Sequence, residues 1–160
     1  MTTTTKDREI LNGVERALDL FFSILGMLFI LGFFLAHQLL NTGFLTADFG
    51  PTEMLALYAP MVLSIIPALI RASLGTRNPA RPMEFISNTA LAAGSLWLFF
   101  VFPFDFSHFA DFLPGGVQFL FGWLTDGIAR IVLLLQMAIG TLTAISALWK
   151  FLAHEPRSSR

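Results

Sequence analysis

Three histidines and eleven carboxylates, with no cysteine, are the side chains of this 160-residue sequence that can ligate a metal or move a proton. Without cysteine there is no disulfide, no thiolate nucleophile and no cysteine-ligated zinc or iron–sulfur site. Histidine with carboxylate remains a ligand set for zinc or a non-haem metal, and acidic groups at a mouth concentrate cations. His37, Asp48, Glu53, Asp105, His108 and Asp111 form such a set, because the topology derived below puts them on one side of the chain. Their spacing matches no ligand motif: there is no H-x-x-x-H, no E-x-x-H and no D-x-D-x-D-G run. The set is therefore a candidate outer cation or metal contact with no metal assigned. The plainer expectation is a packed His37 and solvated carboxylates.

Other chemistry finds less support. A bis-histidine haem needs facing histidines at membrane depth, and only His37 lies in an apolar run, so no cofactor is expected. No G-x-S-x-G, P-loop or paired catalytic carboxylate occurs, and the chain reads as no enzyme.

The elements that position these residues follow from composition. The chain is 55% hydrophobic and 13% charged, with 18 Phe and a mean hydropathy of +0.70. A soluble domain carries about 25% charged residues, so an ordinary globular domain is excluded, and so is a disordered chain. An all-α integral membrane protein remains.

A bilayer core of about 30 Å needs about 20 helical residues without a central charge. Charge-free runs occur at 20–47, 54–70, 85–104 and 131–149. They predict four transmembrane helices in a bundle, over about 17–41, 54–73, 85–103 and 128–150, in one domain spanning 1–160. The first run is too long for a signal-peptide core and is read as a retained helix. A fifth charge-free run, 112–125, is too short and too rich in Pro and Gly for a crossing, and residues 105–125 predict an interfacial or re-entrant segment. Within it Asp105 suits an N-cap, and Phe106, Phe109 and Leu113 recur at helical spacing, giving a short amphipathic helix in the interface that meets lipid or a partner. Residues 1–8 and 155–160 are expected to be mobile tails.

Nine of the ten basic residues fall before the first span, between the second and third, or after the fourth. With six acidic residues that side carries +3. The other side, with five acidic residues and Arg130 alone, carries −4, so the net charge of −1 hides a dipolar separation. Basic loops stay inside, which predicts the cell membrane, a multi-pass topology and both termini cytoplasmic. The basic residues form no groove for nucleic acid, and anionic lipid is the simpler contact. Arg130 opposes the trend, and Asp126, four residues earlier at the start of the fourth span, has the spacing of a helical ion pair.

Helices in lipid associate through small and polar residues. Pro60, Ser64, Pro67 and Arg71 share a face of the second span, the third contains Ala90 and Gly94, and the fourth aligns Gln136 and Gly140. Pro60, Ser64, Pro67, Gln136 and Gly140 are candidates for helix contact or for lining a pathway. The expected function is a non-enzymatic subunit of a membrane assembly, as a homo-oligomer or with other membrane subunits. The alternative is a cation channel or transporter component with an acidic outer vestibule.

Overall fold

The computed structural model describes residues 10–154; the tails expected at 1–8 and 155–160 lie outside them. The described residues form helices α1 (Gly13–Leu40), α2 (Pro51–Leu63), α3 (Ile65–Leu74), α4 (Arg81–Val101), α5 (Gly115–Gln118) and α6 (Asp126–His154), with three 3-10 turns and no strand beyond two isolated bridges. Four helical stretches are long and apolar enough to cross a membrane: Gly13–Leu40, Pro51–Leu74, Asn78–Val101 and Asp126–Ala153. These stretches coincide with the four expected spans, each beginning earlier than its charge-free run.

Asn12 caps α1 by accepting from the Glu15 N–H (2.8 Å), while the Glu15 carboxylate accepts from the Asn12 N–H (3.0 Å), satisfying two orphan donors at once. Pro51 opens α2, where its missing N–H costs nothing. The second span is two helices. Pro67 has no N–H to give the Leu63 carbonyl, and the helix breaks at Ser64, whose hydroxyl donates to the Met61 carbonyl (2.6 Å). α4 stops at Phe102, which adopts a left-handed conformation (φ 45°) directly before Pro103.

Segment 105–125 departs from expectation. Asp105 does cap a turn, accepting from the Ser107 N–H (3.0 Å), but only one 3-10 turn, Phe106–His108, follows, and Pro114 separates it from the single turn of α5. The Phe-rich half does not present its rings outward either. Phe104 is buried, and Phe104, Phe106 and Phe109 pack on Phe44 with ring centroids 5.6, 5.1 and 5.6 Å away. An amphipathic helix needs an apolar surface outside the chain to lie on; here the loop between α1 and α2 supplies one inside. The exposed part is the following stretch, with Phe119 75% and Trp123 63% exposed.

α4 is the central helix, packed along α6 on one side and α2 on the other, while α1 packs on α3 and α2. α1 and α6 do not pack along each other. Small residues set the contacts. A Cβ on Gly94 would lie 2.3 Å from the Ala56 carbonyl oxygen, and one on Gly140 would lie 2.9 Å from the Asn88 carbonyl oxygen and 3.1 Å from the Ala92 nitrogen. The Ala56 carbonyl is the one that Pro60 cannot bond, so its oxygen is turned onto the glycine of α4. Thr143 on α6 adds a hydroxyl donor shared between the Asn88 side-chain oxygen (2.9 Å) and its own helix's Ile139 carbonyl (2.7 Å).

Candidate functional site

The polar residues collect at three levels: an aromatic end formed by the 41–50 and 102–125 loops, the middle of the bundle, and a basic end around Arg71.

At the aromatic end His37 is 1% exposed. Its Nδ1 shares a 2.5 Å hydrogen bond with the Thr42 hydroxyl, and its ring touches Phe33, Phe44 and Phe112 with centroids 4.7, 4.4 and 4.7 Å away. Nε2 is buried without a hydrogen bond of ordinary geometry. His37 thus packs at the helix end among phenyl rings, and of the carboxylates grouped with it by sequence Asp111 is near enough to act on it electrostatically. Of those carboxylates, Asp105 and Asp111 line one cavity of about 570 Å³ with Asp126 and both act on His108, whereas Asp48 and Glu53 do not line it. Glu53 accepts from the Trp97 indole N–H (3.0 Å) and the Gly50 N–H (3.0 Å), tying the start of α2 to α4. Asp105 accepts from the Ser107 hydroxyl (2.6 Å) as well as its N–H. His108 pairs with Asp111 (2.7 Å), and Asp48 is exposed, with no side-chain hydrogen bond or ion pair among the described residues. No three His, Asp or Glu residues among those described are placed to hold a metal ion.

Asp126 and Arg130 do not meet. Asp126 accepts from the Phe106 N–H (3.1 Å), and Arg130 donates to the Phe99 carbonyl (2.9 Å) with its guanidinium 3.9 Å from the centroid of the Phe102 ring. The i,i+4 spacing permitted a pair, but each side chain has a partner across the chain. Arg130 closes the carbonyl end of α4, where a cation complements the helix dipole and a ring face adds cation–π attraction. This accounts for a lone cation on the acidic side.

His108 and Asp111 lie outside the helical spans, and the carboxylate beside the imidazole raises the His108 pKa, against a smaller opposing effect of desolvation. The raised value means the pair stabilises the loop fully below the ordinary histidine pKa, and that this stability is lost as pH rises through the folded-state value. An NMR titration of the His108 ring should give a midpoint above the ordinary histidine value in the wild type, moving down in Asp111→Asn. Equal midpoints in the two proteins would remove the pair.

In the middle, Pro60 and Gln136 line an apolar cavity of about 300 Å³ between α2, α4 and α6, roofed by Phe44, Phe104 and Phe106. Ser64 and Pro67 line a different cavity of about 400 Å³, with Arg71, Glu84, Asn88 and Thr143, toward the basic end. No residue lines both, and Gly140 sits in the α4–α6 contact. The five residues aligned by sequence are thus divided among two cavities and a helix seam.

At the basic end Arg71 bridges three helices. Its Nε and Nη2 donate to the two Asp19 oxygens (2.7 and 3.2 Å), and its Nη1 pairs with Glu84. Arg16 caps α3, donating to the Ala72 carbonyl (2.7 Å from Nε) and the Ser73 carbonyl (3.1 Å), which leaves fewer orphan acceptors at the helix end.

Comparison with protein-family models, curated proteins and solved structures found no match. Function therefore rests on the geometry alone. Sequence reasoning had also passed over two contributors to it. Ser95 stands as an isolated polar residue in an apolar run of α4, a signal that was available. Phe44 closes the His37 cage, and only the fold brings it there.

Proposed function

We propose that this chain is a non-enzymatic, multi-pass membrane protein acting as an oligomeric or accessory subunit of a membrane assembly, in the cell membrane with both termini cytoplasmic. One observation carries the reading. The apolar faces of α1 and α6 have no partner within the chain: in the most apolar 18-residue stretch of α1, 0% of residues are buried. Phe22, Phe29 and Leu39 on α1 and Leu135, Leu142 and Trp149 on α6 are all exposed. Lipid can cover such faces, but close helix packing is available too. Gly26 and Gly32 of α1 have nothing within 4 Å of where a Cβ would be, whereas Gly94 and Gly140 are occupied by contacts inside the chain. Small residues on a free helix face let another backbone approach closely.

The same geometry weighs against conduction. A cation pathway needs a continuous polar or charged lining, and the two cavities share no residue. The central one is apolar apart from two uncharged side chains.

The test is the molecular mass of the purified chain in a mild detergent, with Gly26→Cys crosslinking, which the cysteine-free sequence allows without background. A defined assembly larger than the 17.7 kDa chain, crosslinked through position 26, is expected. A monomer that instead conducts cations into liposomes would overturn the reading in favour of a channel.

A further inference from the structure

The packed pairs α1–α2, α2–α4 and α4–α6 enclose the central cavity on three sides. The fourth side, between α1 and α6, has no helix seam, so the cavity faces the surroundings of the bundle there. Its walls are apolar, with Phe34, Leu57, Pro60 and Ala129 among them, and Phe104, Phe106 and Phe109 lie over it. Two polar side chains also line it. Ser95 on α4 is 4% exposed and Gln136 on α6 is exposed, and neither side chain makes a hydrogen bond among the described residues. Other hydroxyls in these helices, those of Thr89, Thr141 and Thr143 among them, donate to a carbonyl of the preceding turn, as the Ser95 hydroxyl does not. In a hydrocarbon environment an unmade hydrogen bond is costly. A nearly buried Ser95 hydroxyl and an exposed Gln136 amide, lining one cavity of an apolar bundle, therefore describe a site for a molecule that supplies their partners.

Depth narrows its chemistry. Ser95 lies six residues from the end of α4 and Gln136 ten from the start of α6, about 9 and 15 Å below the aromatic end at 1.5 Å per residue. The oxygens of an ordinary phospholipid stay at the headgroup level of a core about 30 Å thick, and an acyl chain has none to offer. No charged side chain lines the cavity, which excludes an ionic head. The phenyl rings favour a flat ring over a branched aliphatic body. We infer that this cavity binds an uncharged, lipid-soluble ring carrying carbonyl oxygens, of the quinone class. Its carbonyls accept from the Ser95 hydroxyl and the Gln136 amide, its ring lies beneath the Phe104, Phe106 and Phe109 cluster, and its apolar tail leaves between α1 and α6. The proposal is one of binding and includes no electron transfer. It stands independently of the assembly reading, because its test is indifferent to oligomeric state.

The experiment is equilibrium binding of decylubiquinone to the full chain in phosphatidylcholine nanodiscs, beside decylbenzene, which has a ring and tail but no oxygen. Saturable binding of decylubiquinone is expected, about tenfold weaker in Ser95→Ala/Gln136→Leu, the loss two hydrogen bonds give. Both substitutions are favourable in a membrane helix, and an unchanged thermal transition verifies the fold. Decylbenzene should bind more weakly than decylubiquinone and indifferently to the double substitution. No saturable binding, equal binding by wild type and double variant, or decylbenzene binding as tightly as decylubiquinone would each overturn the proposal; the last would make the cavity an acyl-chain groove.

Discussion

Gly94→Ala should destabilise the folded chain by about 3 kcal/mol, the upper range for overpacking a well-packed contact. The added carbon would sit 2.3 Å from the Ala56 carbonyl oxygen and 3.4 Å from the Pro60 Cγ. Flexible side chains can swing away from such an intrusion, but the near atom here is the backbone of α2. α2 and α4 must move apart. The displacement passes to Trp97, one turn along α4, whose indole donates to Glu53 on α2, so this hydrogen bond should lengthen with it. Gly26→Ala and Gly32→Ala are the controls: neither added carbon meets anything within 4 Å, and alanine is the better helix former. Reversible unfolding in mixed detergent micelles, followed by helical circular dichroism, measures all three. A Gly94→Ala transition indistinguishable from that of Gly26→Ala would show that the two helices are not in this contact.

Arg71→Met should cost about 3 kcal/mol, the low end of what breaking a buried ion network costs by leaving charges uncompensated. The low end applies because the group is only partly withdrawn from solvent: the Arg71 side chain is 16% exposed, against 33% for Asp19 and 27% for Glu84. Removing the guanidinium strands two carboxylates from two helices beside each other. Arg71→Lys should recover only part of the loss, because an ammonium cannot take the two Asp19 oxygens in the fork geometry and reach Glu84 as well. The triple variant Arg71→Met/Asp19→Asn/Glu84→Gln separates the mechanism from mere loss of packing. It has no stranded charge, and its stability should return most of the way to wild type. The same unfolding assay reads the series, and a triple variant no better than Arg71→Met would show that charge is not what Arg71 contributes.

Both effects lie where small or charged residues interrupt apolar runs, and those interruptions were the readable part of the chain. The four long helices follow from the charge-free runs, and the cap at Asp105 follows from residue type. Pro67 announces the break at Ser64. Partner choice did not follow. The i,i+4 spacing of Asp126 and Arg130 suggested a local pair, but the Phe99 carbonyl and the Phe102 ring lie at the same end and take the arginine. His37 and the outer carboxylates are on one side of the chain, yet side is a coarse coordinate: Glu53 turns inward to Trp97 while His37 turns into phenyl rings. The Phe-rich loop read as outward-facing because nothing local says that Phe44, about 60 residues earlier, will be there to receive it.

The division has a physical origin. Span length, helix ends and the separation of charge along the chain are set by single residues against solvent or hydrocarbon, a one-dimensional property with periods of a few residues. Four helices apolar enough to cross a membrane were therefore determined by the amino-acid order. Which faces meet is decided by contacts between residues far apart in the chain, and in an apolar chain many faces look alike. The tertiary structure alone placed Gly94 against the Ala56 carbonyl and joined Arg71 to Asp19 and Glu84. It also brought Ser95 and Gln136 to one cavity.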